Sequence, residues 1–164
     1  MFNNRTDTQI IHSAGQATWV VSPAGCATHP GTTCSESRGG LYNRSQSASW
    51  SEIGNFSLGL GKNFGYDILN ATYGLDTVSL GIDNVTGGPT LPSQVVAALA
   101  PEFYYLGLFG LNPQPTNWTN FENPRTSYLM TLKQEGMIPS LSWAYTVGAQ
   151  YSKRFLSNFF LRCW

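Results

Sequence analysis

His12 and His29 are the two histidines of the chain, and an imidazole is the side chain best suited to move protons near neutral pH. A histidine that works as a general base also needs a partner that orients its ring and a polarised water to act on. No motif supplies these to His12, and no Ser/His/Asp pattern surrounds either histidine. The sequence therefore does not indicate a serine-type hydrolase.

Cys26, His29 and Cys34 form a second candidate cluster. Three zinc-type ligands without a fourth nearby are a poor structural zinc site. Cys26 and Cys34 instead bracket a Pro/Gly/Thr loop, and in an oxidising compartment such a pair normally closes a disulfide. The sequence favours a Cys26–Cys34 disulfide and no metal site, and leaves Cys163 over.

Charged side chains are few and balanced, with nine basic and nine acidic residues making up 11% of the 164 residues. Binding to nucleic acid or to an anionic membrane surface normally needs a basic patch, and none is visible. Gly59–Gly65 has neither the dinucleotide-binding spacing nor a Gly-Lys-Ser/Thr phosphate loop. We predict no nucleic-acid partner and no cofactor.

Asn-x-Ser/Thr sequons occur six times, whereas chance placement of the same residues would give about two. This excess favours a secreted, N-glycosylated protein with the sequons in surface loops, and the alternative is chance in a Ser/Thr-rich chain. The sequon asparagines are Asn4, Asn43, Asn55, Asn70, Asn84 and Asn117.

Secretion normally begins with a basic stub and an apolar run, but Met1–Asp7 is polar from its third residue. We therefore expect that no signal peptide is present in this chain and that Met1 is not the native start. No stretch of about 18 apolar residues occurs, so no membrane-spanning helix is predicted.

The chain has the length of one domain. We expect mostly strands to position these residues, because its polar positions are mainly Ser, Thr, Asn and Gly and its apolar positions mainly Val, Leu and aromatic residues. Leu75–Leu80 alternates as expected of a strand with one buried face, and the nearly all-apolar Tyr104–Leu111 belongs in the centre. One short helix is predicted, capped by Ser127 and ending at Gly136. The predicted strands are Thr8–His12, Ala17–Val21, Phe56–Leu60, Leu75–Leu80, Gln94–Leu99, Tyr104–Leu111 and Leu141–Thr146.

A set of short motifs resembles, in order and spacing, the N-terminal lobe of a pepsin-like aspartic peptidase. The opening motifs are Trp19–Val21, Cys26 with Cys34, Arg38–Tyr42 and Ser47–Trp50. The family has there an Asp-Thr-Gly loop, a Trp-Val strand, a small disulfide and a Ser-Ser-Thr-aromatic turn. The residues of these motifs most resemble those of secreted fungal members of the family.

The resemblance continues downstream through three further segments. Tyr73–Gly81 resembles the strand after the family's flap, and Tyr105–Asn112 resembles the apolar-apolar-Gly segment that supports the active-site loop from beneath. Ser127–Tyr145 resembles the family's helix, its Gly-Leu-Ile turn and the strand that follows. Together the motifs span residues 12–145, which is nearly all of one lobe.

The resemblance implies an acid-active endopeptidase in which one aspartate from each lobe shares a proton with its partner. The catalytic aspartate should stand seven residues before Trp19, and that position is His12, followed by Ser13 and Ala14 in the loop. A histidine would be largely cationic at acidic pH and could not share a proton with a carboxylate. Asp7-Thr8-Gln9 lies too far from Trp19 and has Gln in place of the loop glycine.

The flap of the family carries a Tyr-Gly-Thr-Gly hairpin, for which the candidates here are Phe64, Gly65 and Tyr66. Counting back from Asp76 reaches Phe64, which has no hydroxyl, and Tyr66 fits only in a shifted register. We therefore expect an altered flap.

The implied domain is a mostly-β lobe over residues 1–151, incomplete at its start, with a divergent tail at 152–164. The tail replaces an expected Gly-rich hairpin and suggests a truncated gene model; a basic amphipathic helix is the alternative. As written, the chain is expected to be a secreted aspartic-peptidase lobe without activity, a pseudoenzyme. A peptide or protein would be its substrate if a second lobe exists. The alternatives are a non-catalytic peptide-binding module and a fragment with no function of its own.

Overall fold

A computed structural model describes residues 9–28, 32–57, 70–80, 88–100, 106–116 and 124–143. This part of the chain is mostly β, as predicted. Its strands are β1 (Gln9–His12), β2 (Thr18–Val21), β3 (Ser51–Ser57), β4 (Asn70–Ser79), β5 (Thr90–Leu99) and β6 (Gly107–Gly110). Its α-helices are α1 (Thr32–Ser37) and α2 (Tyr128–Gln134), and two 3-10 turns cover Pro23–Cys26 and Arg44–Gln46.

All six strands belong to one mixed sheet with the order β1-β6-β2-β5-β4-β3. β6 is parallel to β1 and antiparallel to β2, so it lies between two strands that follow each other directly in sequence. β2 is parallel to β5, and β5, β4 and β3 then form an antiparallel meander. β6 lies within the predicted Tyr104–Leu111 strand and has a neighbour on each side, although it is second from one end of the described sheet rather than at its centre.

Several predicted boundaries were wrong. β4 and β5 are ten residues each, because the β4–β5 ladder continues from Ser79↔Thr90 as far as Ala71↔Leu99. β3 begins at Ser51 rather than Phe56, and residues 58–60 lie outside the described residues. Leu141–Trp143 was predicted as part of a strand, but this stretch is irregular and partly exposed, with no sheet neighbour among the described residues.

Two apolar clusters pack on the sheet. The larger, core 1, combines sheet residues such as Val20 and Phe109 with Leu129 and Leu132 of α2. The predicted helix is confirmed: the Ser127 hydroxyl accepts a hydrogen bond from the Met130 amide at 3.4 Å, and Gly136 ends the helix with φ of 70°. The expectation of one helix was incomplete, because α1 forms in the disulfide loop.

Core 2 gathers residues of β2, β4 and β5: Trp19, Ala71, Tyr73, Val95, Ala97 and Leu99. Its members on β4 and β5 are odd-numbered, whereas Val78, Val96 and Ala98 of the same strands belong to core 1. Because side chains of a strand alternate between its faces, the two cores lie on opposite faces of the sheet.

Because Tyr73 is buried in core 2, the stability of the fold depends on pH in the alkaline range. Burial raises the pKa of the Tyr73 phenol from 10.0 to about 12. Between pH 10 and pH 12 the phenol is therefore deprotonated in the unfolded chain but still protonated in the folded one. The free energy of unfolding keeps its full value below pH 10 and falls by up to about 3 kcal/mol as the pH rises towards 12. Urea unfolding at a series of pH values should show a shallower decline for Tyr73→Phe, and equal slopes would contradict the prediction.

A buried carboxyl group ties β4 to the segment before β3. Asp76 is 0% exposed, although the alternating pattern would place a polar residue of Leu75–Leu80 on the solvent face; Asp76 instead shares its face with buried Val78. Its oxygens accept hydrogen bonds from the hydroxyls of Tyr42, Ser47 and Ser49, with Ser47 at 2.8 and 3.0 Å. The Thr77 amide also donates to Asp76 at 2.7 Å. Asp76 is thus an internal acceptor that fixes the turn around residues 42–49.

Candidate functional site

The candidate site is the loop Ser13–Ala17, which joins β1 to β2. β1 and β2 are not paired with each other, because β6 lies between them, and the loop therefore crosses over the end of β6. His12 pairs with Gly110 and Trp19 with Leu108, which places the loop directly beyond the last residue of β6. Ser13, Ala14 and Gln16 are exposed. The loop is a surface feature built on a packed strand.

Gly110 allows this crossing because no side chain fits at its position. A Cβ there would lie 2.5 Å from the Gly15 carbonyl oxygen, 2.8 Å from that of Ala17 and 2.8 Å from the Gln16 carbonyl carbon. All three atoms belong to the backbone of the loop and cannot rotate away. The close approach of two backbones therefore requires glycine.

The segment that follows β6 fixes the loop through its carbonyl groups. The Asn112 amide donates to the Gly15 oxygen at 2.9 Å, and the Asn112 side-chain Nδ2 donates to the Ala14 oxygen at 3.1 Å. The buried Thr116 hydroxyl donates to the Gln16 oxygen at 2.9 Å. Three consecutive carbonyls are thus held, and the loop has a defined conformation.

Asn112 and Thr116 were not identified as site residues from the sequence. Gly110 and Asn112 both belong to the Tyr105–Asn112 segment that the resemblance singles out as a support for this loop, and Asn112-Pro113 is also a turn signal. The hydrogen bonds themselves join residues that are 98 and 100 positions apart, and such bonds leave no local pattern in the sequence.

The small disulfide is confirmed: Cys26 and Cys34 are bonded, with Cα atoms 6.0 Å apart. Beside it, the buried guanidinium of Arg38 donates to the Gly25 carbonyl oxygen at 2.5 Å. The Tyr42 amide then donates to the Val21 oxygen at 2.8 Å. These contacts attach the segment after β2 to the C-terminal end of that strand, which is the end away from the Ser13–Ala17 loop.

The other candidate residues are only partly within the described structure. The backbone of His12 ends β1, but its side chain lies outside the described residues, as do Phe64, Gly65 and Tyr66. Asn43, Asn55 and Asn70 are described, whereas Asn4, Asn84 and Asn117 are not. The expectation that sequons lie in loops was wrong for Asn55 and Asn70, which are exposed residues of β3 and β4.

The described residues of the loop, Ser13 to Ala17, carry hydroxyl, amide and small side chains but no carboxyl group. Across the described part of the chain, no group of three His, Cys, Asp or Glu residues is arranged to hold a metal ion. No helix within the described ranges is long and apolar enough to cross a membrane.

In comparisons with known proteins, the chain matches no protein-family model and no curated protein sequence.

Proposed function

We propose that this chain is a secreted, N-glycosylated lobe of the pepsin-like aspartic peptidase type that does not hydrolyse peptide bonds by itself. The observation that supports the proposal most is the position of β6 between β1 and β2, beneath the Ser13–Ala17 loop. The resemblance implies this relation, with an apolar-apolar-Gly segment under an active-site loop. Gly110 and Asn112 lie in the segment of that type and contact the loop backbone.

The lack of activity follows from the residue at the start of the loop. Peptide hydrolysis in this family needs two carboxyl groups that share one proton, so that one activates water while the other polarises the carbonyl. His12 occupies the expected aspartate position. A cationic imidazole at acidic pH offers neither the shared proton nor the base.

A peptide is the ligand class that fits this proposal. The carbonyl groups of the loop keep three hydrogen bonds from the Asn112–Thr116 segment, one from a backbone amide and two from side chains, although His12 stands at the start of the loop. Such support preserves the shape of a binding surface independently of catalysis. A non-catalytic peptide-binding module is therefore the second candidate function, and it predicts affinity for peptides without turnover.

The proposal predicts no pepstatin-sensitive cleavage by the purified, disulfide-bonded chain. A quenched fluorescent peptide and an unfolded protein would be incubated with it between about pH 3 and 6, where the shared-proton mechanism operates. His12→Asp is the matched variant. It should also be inactive alone, because one carboxyl group supplies only half of the pair.

Pepsin under the same conditions controls for the assay, and calorimetric titration with the uncleaved peptide measures binding. Turnover by the wild-type chain that pepstatin abolishes would contradict the proposal. Binding without turnover would favour the peptide-binding module over a lobe with no ligand.

A further inference from the structure

We propose that Asn55 and Asn70 form a paired N-glycosylation site on the β3–β4 ladder, and that the Asn55 glycan prevents β3 from pairing with β3 of a second copy of this chain. The inference rests on the proposed secretion of the protein. It is independent of the peptidase resemblance.

The strand register brings the two sequons together. Asn55 of the sequon Asn55-Phe56-Ser57 lies opposite Thr72, and Ser57 lies opposite Asn70 of the sequon Asn70-Ala71-Thr72. Each asparagine therefore faces the hydroxyl residue of the other sequon. Because side chains two apart on a strand share a face, all four project from the same face of the sheet.

The hydrogen bond between Thr72 and Asn55 does not involve the side-chain nitrogen of Asn55, which is the atom that carries an N-linked sugar. The Thr72 hydroxyl donates to the Asn55 Oδ1 at 2.8 Å, whereas an N-linked sugar is attached to Nδ2. The bond fixes the plane of the amide without using its nitrogen. Asn55, Ser57 and Asn70 are exposed and Thr72 is half-buried, so the folded sheet accommodates sugars at both asparagines.

The opposite face of the same ladder is apolar and packed. Phe56 and Ala71 are paired between the two sequons, and the Phe56 ring meets the Tyr73 ring edge-on with centroids 6.0 Å apart. The ladder is therefore anchored through core 2, on the face opposite the sequons. Glycans on the exposed Asn55 and Asn70 do not disturb core 2.

β3 is the outermost strand of the described sheet, next to β4 alone. A free strand edge is a template for pairing with another chain, and natural proteins block such edges with bulges, charges or bulky groups. The first half of β3 has a bulge between Glu52 and Gly54, with Gly54 at φ of 150°. The second half, Gly54–Ser57, pairs regularly with β4 and has no charged residue.

Within β3 as the structure describes it, the sequon therefore occupies the half of the strand that has neither a bulge nor a charged side chain. Asn55 lies in the middle of this regular stretch, and a large hydrophilic glycan there excludes an incoming strand by its volume. A glycan on Asn70, which lies opposite Ser57 at the end of β3, lengthens the part of the ladder that sugars shield. The partner that is excluded is a second β3, because a regular uncharged strand pairs readily with its own copy.

The test uses the full chain secreted from a eukaryotic host behind a heterologous leader. Ser57→Ala removes the Asn55 sequon but keeps Asn55 and its bond from Thr72, and Ser57→Thr is the matched control that retains the sequon. Ser45→Ala removes the Asn43 sequon, which caps the 3-10 turn before β3 and is not part of the Gly54–Ser57 stretch. Occupancy is read by peptide mass mapping after enzymatic deglycosylation in heavy-oxygen water, and self-association by sedimentation velocity.

We expect glycans on both Asn55 and Asn70 in the wild type, and an association constant about tenfold higher for Ser57→Ala than for Ser57→Thr. Ser45→Ala should remain monomeric. If Ser57→Ala is not secreted, the folded wild type deglycosylated enzymatically should show the same association.

An unmodified Asn55 in the wild type would overturn the proposal. Equal association of Ser57→Ala and Ser57→Thr, or equal association of Ser57→Ala and Ser45→Ala, would also overturn it. The experiment contains no cleavage assay, so these outcomes are separate from failure of the peptidase-lobe proposal.

Discussion

Asp76→Ala is expected to lower the free energy of unfolding by about 3 kcal/mol. The substitution removes the acceptor of the Tyr42, Ser47 and Ser49 hydroxyls and of the Thr77 amide. It also opens a cavity at a fully buried position. Donors that lose their acceptor in a buried site incur most of their desolvation cost, and urea unfolding of the disulfide-bonded chain measures the difference.

Two further variants separate the contribution of the Asp76 hydrogen bonds to stability from the contribution of its side-chain volume. Asp76→Asn keeps the shape but replaces one acceptor oxygen with a donor group, and should cost about 2 kcal/mol. Ser49→Ala removes one donor near the surface and should cost about 1 kcal/mol. If Asp76→Ala lowers the free energy of unfolding by less than Ser49→Ala does, the carboxyl group does not hold the turn.

Gly110→Ala is expected to destabilise the fold by about 3 kcal/mol and to loosen the Ser13–Ala17 loop. A methyl group at this position lies 2.5 Å from the Gly15 oxygen, so either β6 or the loop must move. That movement breaks the bond from the Asn112 amide to Gly15. Urea unfolding gives the stability, and hydrogen exchange of the Asn112 amide reports on the loop.

Gly136→Ala is the control for Gly110→Ala because it isolates a different cost of replacing glycine. Gly136 has φ of 70° and no atom within 4 Å of the added Cβ, so only backbone strain of about 1 kcal/mol is expected. Exchange at Asn112 should be unchanged in this variant. Equal effects of the two substitutions on stability and on exchange would show that the loop is not fixed by β6.

Local patterns were sufficient to predict the elements around the loop. β1, β2 and β6 each fall within short apolar runs, and α2 was predicted by Ser127 before its apolar face and by Gly136 after it. The Cys26–Cys34 disulfide was predicted from the short spacing of the two cysteines and from the expectation of an oxidising compartment. These signals are carried by neighbouring residues, so one sequence is enough to recognise them.

The burial of Asp76 could not be predicted in this way. Its partners Tyr42, Ser47 and Ser49 are 27 to 34 residues away, and only the sheet brings them to the carboxyl group. α1 was missed for a different reason, since its sequence Thr-Thr-Cys-Ser-Glu-Ser has little helix propensity. The helix forms within a segment whose start is held by the disulfide.

The place of β6 in the sheet also sets the order in which the chain can fold. Among the described strands β1 pairs with β6 alone, and Gln9 pairs with Gly107, 98 residues later. β2 can pair with β5 before β6 exists, but β1 cannot join the sheet until residues 107–110 have been made. Contacts so distant in sequence form late and slowly. During synthesis, β1 therefore joins the described sheet only after β6 has been made, and the loop beyond His12 takes its shape only at that step.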